Sequence, residues 1–198
     1  MKTSILILSL LLTTLTSCNS NDDNNGFTPT LPPVTQTGEN TFGCYIDGEL
    51  LTPRDGTGTY IGTDRGMKLI GLTDNLENNI YTEIRVRDFK GNNNGIFRIH
   101  LDSINNYSLG EFIINASNCE DGLSANNNTN ITLRWYGKWY CSIYNGGVVN
   151  FTKLDDFGNY SGIFNCIVQN RDDPNDIIEI TQGRFDINGY TLPDTNFP

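Results

Sequence analysis

Few side chains in this 198-residue sequence have the type and spacing to do chemistry. The single histidine, His100, lies in the run IFRIHL. Alternation there puts Phe97, Ile99 and Leu101 on one face and Arg98 and His100 on the other. No serine or cysteine stands near it in a nucleophile motif, so it reads as a surface histidine with ordinary partners. Carboxylate pairs of the kind that hydrolyse glycosides exist at Asp155-Asp156 and Asp172-Asp173. Both stand in turn sequences beside Gly158 or Pro174, where adjacent acids are solvated turn formers. Residues 172–176 (DDPND) offer several oxygens without the ligand spacing of a calcium loop. The sequence holds no phosphate-binding loop and no dinucleotide fingerprint. These residues predict neither an enzyme nor a metal or cofactor site.

Two surfaces and four cysteines remain. In RWYGKWY (134–140), a two-residue turn at Gly137-Lys138 would oppose Tyr136 to Trp139 and Trp135 to Tyr140. Trp135, Tyr136, Trp139 and Tyr140 would then present a Trp/Tyr pair on either face, able to stack on a sugar ring or fill a partner's pocket. The alternative is that these cross-strand pairs only stabilise the hairpin. Arg85, Arg87, Arg98 and His100 form a second surface, a local basic cluster suited to a carboxylate or an anionic sugar, or else paired with Glu83 and Asp88. Cys44, Cys119, Cys141 and Cys166 are an even set, as in disulfide-bearing exported domains. Cys44 shares a strand face with Phe42 and Ile46, and Cys166 one with Phe164 and Val168. The expected bridges are therefore Cys44–Cys166 and Cys119–Cys141, with buried free thiols as the alternative.

The elements that must position these residues read as strands. Only 18% of residues are charged, while 27 are asparagine and 20 glycine, which favour turns over helices. From residue 41 onward, period-2 runs alternate with turn clusters: 41–47, 49–52 after the turn Asp47-Gly48, 66–73, 81–89, 96–101, 111–115, 131–136, 139–144, 148–153, 161–170 and 176–183. In 81–89, Thr82, Ile84 and Val86 face one way and Glu83, Arg85 and Arg87 the other. About ten short antiparallel strands, connected in sequence, predict an all-β domain, either a β-sandwich or a closed meander barrel.

Residues 1–17 carry Lys2 and then the apolar run ILILSLLL, the length of a signal-peptide core and short of the about 20 residues a membrane-spanning helix needs. Leu15-Thr16-Ser17-Cys18 resembles the lipobox of bacterial lipoproteins, which implies acylation at Cys18; two or more acyl chains anchor stably where one does not. Residues 19–40 are polar and proline-bearing, so 18–40 is expected to be a lipidated cysteine plus disordered linker with a coil reach of about 25 Å, leaving 41–198 as the β-domain. Asp22-Asp23 resembles the acidic surface-export signal of Bacteroidota lipoproteins, and Asp102-Ser103-Ile104 their short O-glycosylation motif. The segments NTFGCYIDGELLTPRDGTG, YSLGEFII and SGIFNCIVQNRDDPNDIIEITQGRFDI are similar in their order to a flavobacterial-type outer-membrane lipoprotein family of unknown function. That resemblance implies a small β-domain on a lipid anchor and brings no catalytic residues.

Without residues 1–17, 12 basic residues stand against 23 acidic ones, a charge near −11. Such a surface repels nucleic acid. The partners expected are the membrane, through the lipid anchor, and a glycan or a surface protein. The reading is an outer-membrane, outward-facing, non-enzymatic binding or adhesion module. A barrel carrying a small apolar ligand, or a periplasmic orientation, is the alternative.

Overall fold

A computed structural model of the chain describes residues 27–58, 62–73, 80–102, 108–155 and 158–198. The leader, Cys18, Asp22-Asp23, Ser103-Ile104 and Asp156 lie outside the described residues.

Among the described residues, ten strands form one antiparallel sheet: β1 (Thr41–Ile46), β2 (Glu49–Leu51), β3 (Met67–Thr73), β4 (Ile80–Arg87), β5 (Ile96–Asp102), β6 (Gly110–Ile114), β7 (Asn130–Trp135), β8 (Lys138–Leu154), β9 (Asn159–Asn170) and β10 (Ile177–Asn188). Their lateral order is β2-β1-β10-β9-β8-β7-β5-β4-β3, with β6 paired to the distal half of β8. The predicted all-β class holds. The predicted closure does not: the sheet is neither a sandwich nor a closed barrel but a half-barrel, curled on itself, whose edge strands β2 and β3 do not pair. Nor is it a simple meander, because β10 pairs with β1 at the start of the chain.

The curl has local causes. Register shifts fall between Gly43 and Tyr45, between Ile180 and Gly183, and between Ser142 and Gly147, and bulges of this kind bend and coil a sheet. The last shift merges two predicted strands, 139–144 and 148–153, into the single bent strand β8. A Cβ on Gly162 would stand 2.6 Å from the Phe185 ring, so glycine lets the inner face close there. As a result Phe42 of β1 reaches Phe97 of β5 and Phe164 of β9, at ring centroid distances of 5.3 and 5.7 Å, although four strands separate β1 from β5. Phe42, Phe97, Phe151 and Phe164 are each no more than 1% exposed. Inward-facing apolar side chains from nearly every strand fill the concave face.

The open side is clasped by segments outside the sheet. The Arg54 guanidinium donates to both oxygens of Asp88, at 2.7 and 2.6 Å, joining the chain after β2 to the end of β4. Asp55 Oδ2 accepts the Phe197 amide, and Phe197 and Leu192 are buried in the core. Residues 35–40, expected within the disordered linker, are instead docked. The Asp186 carboxylate accepts the amides of Thr37, Gly38 and Glu39 and the hydroxyls of Thr35 and Ser161. Asn40 is seated by Thr191 and Thr195. Polar composition alone does not disorder a segment that finds a buried carboxylate to satisfy its amides.

Candidate functional site

The polar face of β4 and β5 gathers Glu83, Arg85, Arg87, Arg98 and His100, and two elements position it. Alternation in β4 sends Ile84 and Val86 inward and Glu83, Arg85 and Arg87 outward; β5 sends Phe97 and Ile99 inward and Arg98 and His100 outward. Antiparallel register then places Lys68, Arg85 and Arg98 directly opposite one another on β3, β4 and β5. Like charges facing each other across strands repel, so this row needs counter-ions.

Two carboxylates supply part of the need. Glu83 pairs with the Arg85 guanidinium, and its other oxygen accepts the Gly122 amide at 3.2 Å. Asp121 lies 3.1 Å from Arg85 and 3.4 Å from Arg98. Both Gly122 and Asp121 belong to the 115–129 segment, which folds back over this face. That segment is fastened by the Cys119–Cys141 disulfide, by Ser117 Oγ against Thr132 Oγ1 at 2.8 Å, and by Ser142 Oγ donating to the Asn115 carbonyl at 2.6 Å.

The cover makes Glu83 only 1% and His100 only 4% exposed, so His100 is a buried residue and not the surface histidine expected. Its ring stacks on Tyr81 at 5.0 Å, and Nδ1 is 3.9 Å from Glu83 Oε2. Burial by itself would raise the Glu83 carboxyl. The adjacent His100 ring, the Arg85 guanidinium and the Gly122 amide outweigh it and hold Glu83 down at about 2. At neutral pH Glu83 is therefore a fixed anion, unable to donate a proton and poorly placed to accept one. Burial lowers the Arg98 guanidinium, partly offset by Asp121 and Glu83, and Arg98 Nε is buried with no hydrogen-bond partner among the described residues.

Beside this row lies a cleft of about 210 Å³ lined by Arg65, Lys68, Arg85, Arg87 and Arg98, with Asp64 as the acid among them. Ile70, Ile96 and Phe89 give it apolar walls, and the Arg87 guanidinium lies 4.3 Å from the Phe89 ring centre. Trp139 of β8 borders the same face under Arg98 and Arg134, at 5.2 and 6.0 Å. Of these residues, sequence alternation identified Arg85, Arg87 and Arg98. It missed Lys68, although Lys68 alternates with Met67 and Leu69 on the next strand, and it had no local signal for Arg65 or Asp121, which arrive from loops.

The aromatic hairpin is placed differently from the expectation. Trp135 pairs with Lys138 and Arg134 with Trp139, so the turn residues are Tyr136 and Gly137, with φ of 48° and 80°, a type I′ turn. Moving the turn by one residue slides the strand register by two, so the faces are kept and the partners change: Trp135 and Tyr140 share the inner face, both buried at 5%, Trp139 lies on the outer face opposite Arg134, and Tyr136, expected beside Trp139, is instead 58% exposed at the tip with its hydroxyl on the Glu49 carboxylate at 2.8 Å. The four rings do not form one surface.

Cys119–Cys141 is bonded as expected, whereas Cys44 and Cys166 are free and buried. β10 lies between their strands, and two strand spacings of about 4.8 Å exceed the reach of a disulfide. In the DDPND turn, Asp176 Oδ2 accepts from Lys138, Tyr140 and Asn170, and Asp173 Oδ1 from the Asn175 amide, so these two oxygens are engaged within the chain. Among the described residues, no group of three or more His, Cys, Asp or Glu is placed to hold a metal ion. Compared with protein-family models, curated proteins and solved structures, the chain matches none.

Proposed function

We propose that the chain is a lipid-anchored protein of the outer membrane, facing outward, that binds a partner without transforming it. The observation that carries this reading is the contrast between the two faces of the sheet. The concave face is filled with phenylalanine side chains, which favours an outer working surface over an internal lumen. The outer face gathers five cations around a cleft on a chain of net charge −10. The group there that most resembles a catalytic acid, Glu83, is held ionised and covered. Cys18 supplies the anchor and Asp22-Asp23 the export signal, in keeping with the lipoprotein family the sequence resembles.

Location and activity are tested separately. A metabolic acyl label should enter the wild-type protein and be absent from Cys18→Ala, and protease added to intact cells should degrade the wild type but spare the Asp22→Asn/Asp23→Asn variant. In a polysaccharide panel, retardation of the protein with no shortening of the glycan supports binding. Progressive shortening would establish an enzyme and end this reading.

A further inference from the structure

The cleft on the outer face has the composition of an anion site, and its chemistry indicates what would fill it. Five cations meet three carboxylates there, Glu83, Asp121 and Asp64. Arg85 is engaged by Glu83 and Asp121, and Arg65 donates to the Thr195 carbonyl and to Asn196. Lys68 and Arg87 have no carboxylate within ion-pair distance among the described residues, and Arg98 Nε, buried in the same wall, has no acceptor. Donors are therefore in surplus at one small place on an acidic protein, and a bound oxyanion would relieve the repulsion along the Lys68–Arg85–Arg98 row.

The dimensions narrow the class. Sites that enclose a whole small molecule run to about 300–1,000 Å³, so about 210 Å³ takes one charged substituent while the rest of the ligand lies outside. Nucleic acid presents a charge about every 1.7 Å and an anionic bilayer presents a continuous sheet of them, and both would be repelled overall by a chain of net charge −10. A polymer with sparse anionic groups would not. The walls add Phe89, Ile70 and Ile96, flat and apolar surface against which a sugar ring can lie. We infer that the cleft binds an acidic polysaccharide, seating the carboxylate or sulfate of one sugar residue on Lys68 and Arg87, with Arg98 as the third donor. This rests on the binding reading above and names its ligand class. Asp121 stands where a ligand oxyanion would meet Arg85 and Arg98, so it is an internal competitor that the ligand displaces.

Affinity electrophoresis of the full chain through gels holding hyaluronate, with one carboxylate per disaccharide, κ-carrageenan, with one sulfate per disaccharide, or neutral dextran tests this. Retardation is expected in one or both acidic gels, which tells carboxylate from sulfate, and not in neutral dextran. Lys68→Ala/Arg87→Ala should weaken it at least tenfold with an unchanged melting temperature, whereas Arg171→Ala, a cation lost elsewhere, should leave it intact. Asp121→Asn should tighten it severalfold. Retardation that survives the double substitution overturns the cleft and leaves a binding protein with another site, and no retardation in either acidic gel overturns the ligand class. Stronger, mutation-sensitive binding to duplex DNA or to phosphatidylglycerol vesicles overturns the glycan in favour of that polymer or surface. Weaker binding by Asp121→Asn refutes the competitor role.

Discussion

Replacing Asp186 by asparagine should loosen the N-terminal segment and lower the stability of the whole domain. The carboxylate is 1% exposed and accepts five hydrogen bonds: Oδ2 from the Thr35 hydroxyl and the amides of Thr37 and Glu39, Oδ1 from the Gly38 amide and the Ser161 hydroxyl. An asparagine keeps one oxygen and turns a donor toward the other group. Its better orientation still leaves the Gly38 amide facing an NH₂, and the remaining bonds lose their charge. A buried unsatisfied donor costs about 1–3 kcal/mol, and a bond to a charged group is worth about 1.5–3 kcal/mol. The expected loss is about 3 kcal/mol, or about 6–12 °C in melting temperature for a domain of this size. The pH dependence has a defined sign. Burial raises the Asp186 carboxyl, but the Ser161 and Thr35 hydroxyls and the Gly38 and Glu39 amides outweigh it and hold it below its ordinary value. Its contribution is thus present above the unfolded value of about 3.9 and is lost as pH falls through the lower folded one. Asp186→Asn should flatten that part of the stability curve. Thermal melts from pH 2 to 7, with hydrogen exchange at residues 37–39, provide the check. A variant melting within 2 °C of wild type, or fast exchange at those amides in the wild type, would refute the docked-segment reasoning.

Other outcomes follow from the same structure. Alkylation of the denatured domain without reductant should modify two of its four cysteines, Cys44 and Cys166, and all four after reduction; serine at Cys119 and Cys141, which are 22 residues apart, should cost about 3 kcal/mol on the loop-entropy model. Arg54→Ala removes one partner of a buried bidentate pair whose side chains are 11% and 5% exposed, and should cost about 3–5 kcal/mol in urea unfolding. Gly137→Ala places a Cβ in open space at φ 80°, so its cost, about 1–2 kcal/mol, is backbone strain alone; a neutral effect would contradict the type I′ turn. Glu83→Gln should remove the stability that wild type loses between about pH 4.3, the unfolded glutamate value, and the folded value of about 2.

The strands were legible because their signal is local. Alternation in 81–89 and 96–101 assigns each side chain to a face without any knowledge of the partner strand, and Thr82, Ile84, Val86, Phe97 and Ile99 are buried as that pattern requires. The turn Asp47-Gly48 was legible for the same reason, since both residues favour the positive φ they adopt, 48° and 79°. Tyr136 defeated the same rule. Tyrosine is a poor residue for φ of 48°, so sequence favours Gly137-Lys138 as the turn, and that single step leaves Tyr136 in a strand beside Trp139 when it stands at the tip. What holds Tyr136 there is tertiary: its amide donates to the Asn93 carbonyl, its hydroxyl to Glu49, and its ring meets Trp135 edge-on at 5.7 Å.

The outer face shows the limit of strand patterning from the other side. Alternation marks His100 as polar-facing, and it is, but whether polar-facing means solvent-facing depends on what crosses the strand. Here the covering segment comes from 115–129 and is held in place by Cys119, whose bond to Cys141 ties it to the strand beside β7. The predicted disulfide and the predicted basic face were thus two readings of one device. Ordering this asparagine-rich loop costs about 1–2 kcal/mol per residue in backbone entropy, and the staple offsets part of that cost and helps to hold Asp121 between Arg85 and Arg98. The loop that buries Glu83 and His100 also sets how much of the cationic row is left for a ligand. Reducing the Cys119–Cys141 bond should therefore change anion binding at a cleft to which neither cysteine contributes a side chain.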